Sequence, residues 1–198
     1  MSQSISQENP LIKLKGKETT SLLKIGPIPS QRGQSSSDLG KQTAWDEKGR
    51  NKLAQMFVSF GNDYINSIAF QYIEDGKLVI SPVFGSPNLD GPNFVALRFT
   101  EATNNEYITR LSGSHGTKNY STGQGVTSLT IETNAAIYGP FGNAGSNDPK
   151  FNISFGPENQ FAGFHGTSSP EILTSIGVYV KPIDDLAALS NKTELHVE

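Results

Sequence analysis

Cysteine is absent from the 198-residue chain. Disulfides therefore contribute nothing to its stability, and thiolate metal sites and thiol catalysis are excluded. Tryptophan occurs once, and only three histidines, His115, His165 and His196, could serve as metal ligands or proton carriers. No H-x-H or H-E-x-x-H spacing joins them, so neither a metal site nor a cofactor is expected. No apolar run approaches the ~20 residues that cross a bilayer as a helix, and no membrane span is expected. The start, MSQSISQENPLIKLKG, lacks the apolar stretch of a secretory signal. The expected compartment is the cytosol, with access to the nucleus, and the sequons at Asn119, Asn152 and Asn191 read as chance matches in an Asn- and Ser-rich chain. Positive charge is in short supply too. Sixteen Lys and Arg face 19 Asp and Glu, for a net charge of −3, so nucleic acid is not the expected partner.

What the chain has is turns and short strands. Twenty glycines and 11 prolines punctuate it throughout. Period-two alternation recurs: Ile68, Phe70 and Tyr72 in one stretch, Val95, Leu97 and Phe99 in a second, Phe151, Ile153 and Phe155 in a third, Ile176, Val178 and Val180 in a fourth. Such alternation turns one face of a strand to a core and the other elsewhere. No stretch of a dozen residues carries a 3.6 period, so the fold class is all-β. Residues 1–21, rich in Ser, Gln, Glu and Lys, read as a disordered arm, and residues 184–198 as a polar tail. The domain between them is expected over 22–183.

An internal repeat organises that domain. The segments 57–72, 94–113 and 161–180 share an aromatic-rich strand, a polar loop ending in an acidic residue, and a second strand. Asp63, Glu106 and Glu171 precede Tyr64, Tyr107 and Ile172 in the three copies. A lone hairpin is marginally stable in water, so each needs further strands and a shared interior. Leu22–Ile25, Gln42–Trp45, Lys77–Val83, Val126–Thr133, Ala136–Tyr138 and Phe151–Phe155 supply them. About twelve strands, four to a sheet, close into a three-sided prism. Trp45 is expected on the axis or at a sheet junction, Tyr138–Gly142 (YGPFG) as a tight turn, and Gly163 at a bulge or close backbone approach.

Taken in order, TAWDEKG (43–49), SLTIETN (128–134), YGPFG (138–142), FAGFHG (161–166) and SIGVYV (175–180) resemble the signatures of the jacalin-related lectins, over residues 24–182. The resemblance implies a β-prism I fold: three four-stranded antiparallel Greek-key sheets related by pseudo-threefold symmetry. It implies carbohydrate binding rather than catalysis. KIGP, FGPENQFAGFHGT and GVYVKP are most similar to a plant member of the family that restricts virus movement, which implies an antiviral, plant-defence role.

The family's sugar site lies where three loops meet at one end of the prism, and its G-x-x-x-D motif supplies a carboxylate to the sugar hydroxyls. Here the Asp position is Thr174 and the Gly position is Pro170. Threonine cannot accept bidentately, and proline lacks both the N–H and the freedom of glycine. The N-terminal loop departs as well, with Ser30 in its glycine-rich region. Losing a charged acceptor costs about 1.5–3 kcal/mol, roughly ten- to a hundred-fold in affinity. Two readings stay open. The site is rebuilt around Glu171 and Ile172, with Ser121 and Gln124 from the 116–125 loop, to hold a sugar of mannose/glucose or galactose type. Alternatively, sugar binding is lost and the surface recognises a protein partner. Homo-oligomerisation is open as well.

Enzyme signatures are missing. Glu106 and Glu132 could form a glycosidase pair, yet one reads as a repeat-loop residue and the other as the polar face of a strand. There is no P-loop and no G-x-S-x-G, and no helix follows the glycines of GNAG (142–145). The chain is read as a binding protein, not an enzyme.

Overall fold

The computed structural model describes residues 21–29, 42–50, 52–87, 89, 91–99, 106–119, 123–155 and 160–182. The arm expected over 1–21, apart from Ser21, and the tail expected over 184–198 lie outside the described residues. Thirteen strands run in chain order: β1 Leu23–Ile28, β2 Thr43–Asp46, β3 Leu53–Phe60, β4 Ile65–Glu74, β5 Lys77–Ile80, β6 Phe84–Gly85, β7 Asn93–Arg98, β8 Ile108–Asn119, β9 Gly123–Thr133, β10 Ile137–Gly142, β11 Lys150–Ser154, β12 Phe161–Ser168 and β13 Leu173–Val180. No helix occurs among the described residues.

The strands form three antiparallel sheets: sheet A in the order β1-β13-β12-β2, sheet B in the order β5-β4-β3-β7 with β6 also on β4, and sheet C in the order β10-β9-β8-β11. One plan underlies all three. A central hairpin (β12–β13, β3–β4 or β8–β9) is flanked on its second strand by an interrupted outer strand and on its first by another edge strand. In sheets B and C this is the Greek-key order, third-second-first-fourth along the chain. In sheet A the same key is closed by the two ends of the domain, since β1 pairs with β13.

The interruption of the outer strand explains the thirteenth strand. β1 carries Gly26-Pro27 and β10 carries Gly139-Pro140, and each slips register there. The slip places the proline, which has no N–H to donate, on a sheet edge where none is needed. Sheet B breaks further, at Ser81-Pro82-Val83, leaving β5 and β6 as separate strands on β4. Two expectations are corrected by this. YGPFG is a bulged edge strand rather than a tight turn, and Lys77–Val83 is not one continuous strand. A third correction concerns the repeat. Residues 94–113 are not a hairpin, because β7 pairs with β3 in sheet B while β8 pairs with β9 in sheet C. The hairpin equivalent to 57–72 and 161–180 is β8–β9.

Alternation sends one face of every sheet inward. Met56, Val58, Ile68, Phe70, Leu111, Leu129, Ile131, Phe164, Ile176 and Val178 are fully buried in a single apolar core. Aromatic rings join the sheets. Phe70 of sheet B stacks on Phe164 of sheet A with centroids 4.6 Å apart, and Trp45 of sheet A stacks on Phe84 of sheet B at 4.4 Å. Trp45 thus fills a sheet junction, as expected. Phe60 meets Phe141 at 5.7 Å between sheets B and C, and Phe155 meets Phe161 at 6.5 Å between C and A. Gly163 lies at a register slip in β12 with φ +118°, and a Cβ there would sit 2.0 Å from the Glu47 carbonyl oxygen. The close approach expected at FAGFHG is therefore present, and only glycine permits it.

Candidate functional site

The hairpin turns of the three sheets gather at one end of the molecule. Tyr64, which leaves the β3–β4 turn, is buried and donates its hydroxyl hydrogen to the Gly123 carbonyl at 2.9 Å. The Tyr64 phenol oxygen also accepts from the Lys118 backbone N–H at 2.6 Å, so one phenol pins sheet B's turn to both arms of sheet C's hairpin. Ile172, from the β12–β13 turn of sheet A, packs against the same place. A Cβ on Gly125 would lie 2.6 Å from Ile172 and 2.9 Å from Tyr64. That glycine is where three turns meet with no room for a side chain.

Beside this junction is a recess lined by Gly61, Asn62, Asp63, Tyr64, Asn66, Pro92, Glu171 and Ile172. Its floor is apolar, from Tyr64, Ile172 and Pro92. Asp63, Glu171 and Asn62 are exposed around it, and Asn66 completes the lining. The Asn66 side-chain oxygen is buried without a partner. Apolar contact with several convergent acceptors is the chemistry that holds a polyhydroxylated ligand.

The expected site residues fall in several places. Glu171 and Ile172 come together in the recess, and Pro170 is exposed on the adjoining turn. In that turn the backbone N–H groups of Glu171 and Ile172 reach the Ser169 hydroxyl at 3.3 and 3.2 Å. Gln124 lies away from the recess and donates from Nε2 to His115 Nδ1 at 3.2 Å. Burial holds the His115 pKa below its usual value, against the pull of Asp148, which favours the neutral ring that accepts this bond. Thr174 is inside β13 with 1% exposure. Its hydroxyl donates to Gln42 Oε1 at 3.3 Å and meets the Thr167 hydroxyl at 2.7 Å, and Thr167 in turn meets Ser175 at 2.7 Å. A chain of hydroxyls thus runs from Thr174 through Thr167 to Ser175. Ser30 and Ser121 lie outside the described residues.

Sequence reasoning passed over Asn62, Asn66 and Pro92. Asp63 was visible as the acid that matches Glu171 in the repeat, and the two do share one recess. Glu106, grouped with them by sequence, is elsewhere and buried. It accepts from the Thr133 hydroxyl at 2.8 Å and the Tyr138 hydroxyl at 2.9 Å. The pKa of Tyr138 is pushed up to about 12, first by burial and then by this carboxylate. Glu132 pairs with Arg110 at 3.1 Å. The two glutamates are thus held by separate sets of partners. Among the described residues, no three His, Asp or Glu side chains gather as metal ligands.

The loop after β10 is anchored by Asp148. Its carboxylate accepts from Lys118 Nζ, the Thr127 hydroxyl and the Gly145 N–H, each at 2.8–2.9 Å. Burial pushes its pKa up, but these three partners outweigh it and hold the carboxyl below its usual range.

Residues 34–179 match the family model of the jacalin-like lectin domain. The chain belongs to the jacalin-like lectin family. Protein RESTRICTED TEV MOVEMENT 1 of Arabidopsis thaliana is 37% identical over 161 residues, covering 81% of this chain and 87% of that protein. A relative named as the inactive protein RESTRICTED TEV MOVEMENT 1, from the same plant, is equally similar at 37% over 161 residues. Jacalin-related lectin 24 of Arabidopsis thaliana is 33% identical over 174 residues, with 83% of this chain and 70% of that protein covered. Among solved structures, a mannose-binding jacalin-related lectin from Ananas comosus superposes with a TM-score of 0.63 at 23% identity, over 82% of this chain and 99% of the lectin. At that identity the superposition establishes the shared jacalin-type fold, a β-prism.

Proposed function

We propose that this jacalin-like protein recognises a carbohydrate of mannose, glucose or galactose type in the recess between Asp63 and Glu171, as a binding protein of plant defence. The observation that carries the reading is the recess itself, lined by the carboxylate residues Asp63 and Glu171 and by Asn62 beside Tyr64, Ile172 and Pro92. Carboxylates accept hydrogen bonds from sugar hydroxyls, and charge-assisted bonds are the strong ones. The displaced position of this recess also fits the filled Thr174 position, because the acceptor moves from β13 to the turns around it. Glycan-array screening followed by calorimetric titration with the three monosaccharides tests it. Millimolar or tighter binding that falls about ten- to a hundred-fold in Glu171→Ala or Asp63→Ala supports the recess. Absence of binding, or binding indifferent to both changes, overturns it.

A second reading is favoured by Thr174 alone. With its hydroxyl closed inside the sheet, the turn end is a surface for a protein partner, and sugar binding has been lost. Restraint of virus movement is compatible with either reading. The chain is as similar to the relative named as inactive as to the one without that word in its name, so similarity alone does not carry restraint of virus movement to it. Unchanged virus spread in plants lacking the gene, across several host–virus pairs, would remove the defence role. A cytosolic and nuclear setting belongs to the same proposal, and imaging of a fluorescent fusion tests it.

A further inference from the structure

Lys118 is held from both ends. Its backbone N–H donates to the Tyr64 phenol oxygen at 2.6 Å, while its Nζ donates to Asp148 Oδ1 at 2.9 Å and lies 2.8 Å from Oδ2. Tyr64 lines the recess, whereas Asp148 sits in the loop that joins β10 to β11 and is not part of the lining. One residue of β8 thus links a wall of the recess to a carboxylate outside it.

That carboxylate is firmly anchored. Its Oδ2 accepts from the Thr127 hydroxyl and the Gly145 N–H, both at 2.8 Å. The Thr127 hydroxyl meets Ser114 at 2.8 Å, and Ser114 meets Ser128 at 2.7 Å, so the anchor reaches β8 and β9 alike. The loop closes on itself through the Asp148 N–H on the Gly145 carbonyl at 3.1 Å, and it joins β8 through the His115 N–H on the Pro149 carbonyl at 3.0 Å. Gly116 makes room for the carboxylate, since a Cβ there would lie 2.7 Å from Asp148 Oδ1. The Lys118 and Asp148 side chains are 21% and 11% exposed, against 51% and 47% for Lys24 and Asp46. Water therefore screens the Lys118–Asp148 pair less than an ordinary surface ion pair.

We infer that Asp148 is a positioning residue for the recess: acting through the Lys118 ammonium, it fixes the arm of the β8–β9 hairpin on which the Tyr64 phenol is seated. The inference rests on the carbohydrate reading only where it concerns ligand affinity. The end of a hairpin is the part of a sheet that opens most easily, because few contacts lie beyond it. The two partners of the phenol, the Gly123 carbonyl and the Lys118 N–H, belong to that end. A hydrogen bond orients a ring only as well as its partner is held. On the β8 arm the holding is done by a charge-assisted bond, the strong kind. The other bonds of Asp148 have a different task. Thr127 and Gly145 fasten the loop to the sheet, and only Lys118 leads on to Tyr64, so the two tasks can be separated by substitution.

Asp148→Asn keeps the size and one acceptor oxygen but removes the charge that holds Lys118. Lys118→Met keeps the stem and the backbone N–H but removes the ammonium, and Lys118→Arg restores a cation. Arg110→Gln is the control, because it breaks an ion pair of sheet C at the other end of the same hairpin. Nuclear magnetic resonance of the full chain reads the result with no ligand present. Asp148→Asn and Lys118→Met should each shift the Tyr64 ring resonances and quicken exchange of the residue 118 amide at least about tenfold. Lys118→Arg should stay close to the unaltered protein, and Arg110→Gln should leave Tyr64 unmoved. Calorimetric titration with mannose, glucose and galactose adds the ligand arm. Affinity for the sugar that binds should fall about three- to tenfold in Asp148→Asn and Lys118→Met and recover in Lys118→Arg. If the unaltered protein binds none of the three, the carbohydrate reading fails, and the Tyr64 resonances and the exchange rate still decide the positioning role. Tyr64 and the residue 118 amide indifferent to both Asp148→Asn and Lys118→Met overturn it. So does an equal disturbance by Arg110→Gln, which would mean a general loosening of sheet C, or a sugar affinity that stays constant while Tyr64 moves.

Discussion

Single residues decide how the turn end of this molecule is used, and Thr174 is the clearest case. It was expected at a binding position, but it is 1% exposed and its hydroxyl is engaged by Thr167 and Gln42. Thr174→Asp would bury a charge among hydroxyls, which can donate to it only by giving up their present partners. The expected cost is about 1–3 kcal/mol of stability, read by urea denaturation. No gain in mannose affinity over the unaltered protein should follow, even combined with Pro170→Gly. A stable double variant that binds mannose more tightly than the unaltered protein would refute this account of the site. Gly163 is the other deciding residue. Gly163→Ala combines a positive φ with a Cβ on top of the Glu47 carbonyl, and should cost about 3 kcal/mol or more in the same measurement. The glycine's importance was legible in FAGFHG because local spacing signals a bulge. The fate of Thr174 was not, because the groups that enclose it are the Thr167 hydroxyl across the β12–β13 hairpin and the amide oxygen of Gln42, far away along the chain.

Elements show the same division between local and distant information. Period-two patterns placed strands and core faces correctly through most of the domain, since alternation is a property of each segment alone. Partners were harder to read. Residues 94–98 looked like the first arm of a hairpin because a second strand followed, yet β7 crosses to pair with β3. Nothing in the local pattern distinguishes a turn from a crossover when the intervening loop is long enough for both. Gly-Pro misled in the same way, since its local meaning is a turn and its meaning on a sheet edge is a bulge. The recess joins turns from sheets B and A, so its carboxylates appear in the sequence only as repeat-equivalent acids. Tyr64 is what holds that arrangement together. Tyr64→Phe leaves the Gly123 carbonyl and the Lys118 N–H without their shared partner, at an expected cost of about 1–3 kcal/mol. Hydrogen exchange at Lys118 should quicken, and any ligand affinity of the recess should weaken. Unaltered exchange at Lys118 would mean that packing of Ile172, not the phenol, locks the turns.

At the scale of the whole molecule, titratable groups covered or paired by neighbouring side chains set its response to acid. His165 is 1% exposed beneath the Tyr179 ring, whose centroid is 5.1 Å away, and it donates from Nε2 to the Ile25 carbonyl at 3.0 Å. Burial, aided by Lys24 and opposed by Asp46, holds its pKa below the usual 6.5, and burial does the same to His115. With both folded values lowered, the unfolded chain binds more protons just below pH 6.5, so stability must fall as pH drops from 6.5 toward those values. Asp148 and Asp46 add a second loss. Both carboxyls titrate below their usual 3.8 in the folded state, so what they contribute is present above pH 3.8 and disappears as pH falls through the folded values. Glu47 acts in the opposite sense, because burial raises its pKa above 4.5 and protonation relieves it there, which flattens the profile between the two losses. Thermal melting followed by circular dichroism should therefore give a highest melting temperature near neutrality, a first decline below about pH 6.5, and a second, steeper one in strong acid. His165→Gln keeps an amide to donate to Ile25 without a proton to gain, and should remove most of the first decline while sparing the second. A profile that is level from about pH 7.5 to 5 in the unaltered protein would mean that these rings reach water more easily than their packing implies.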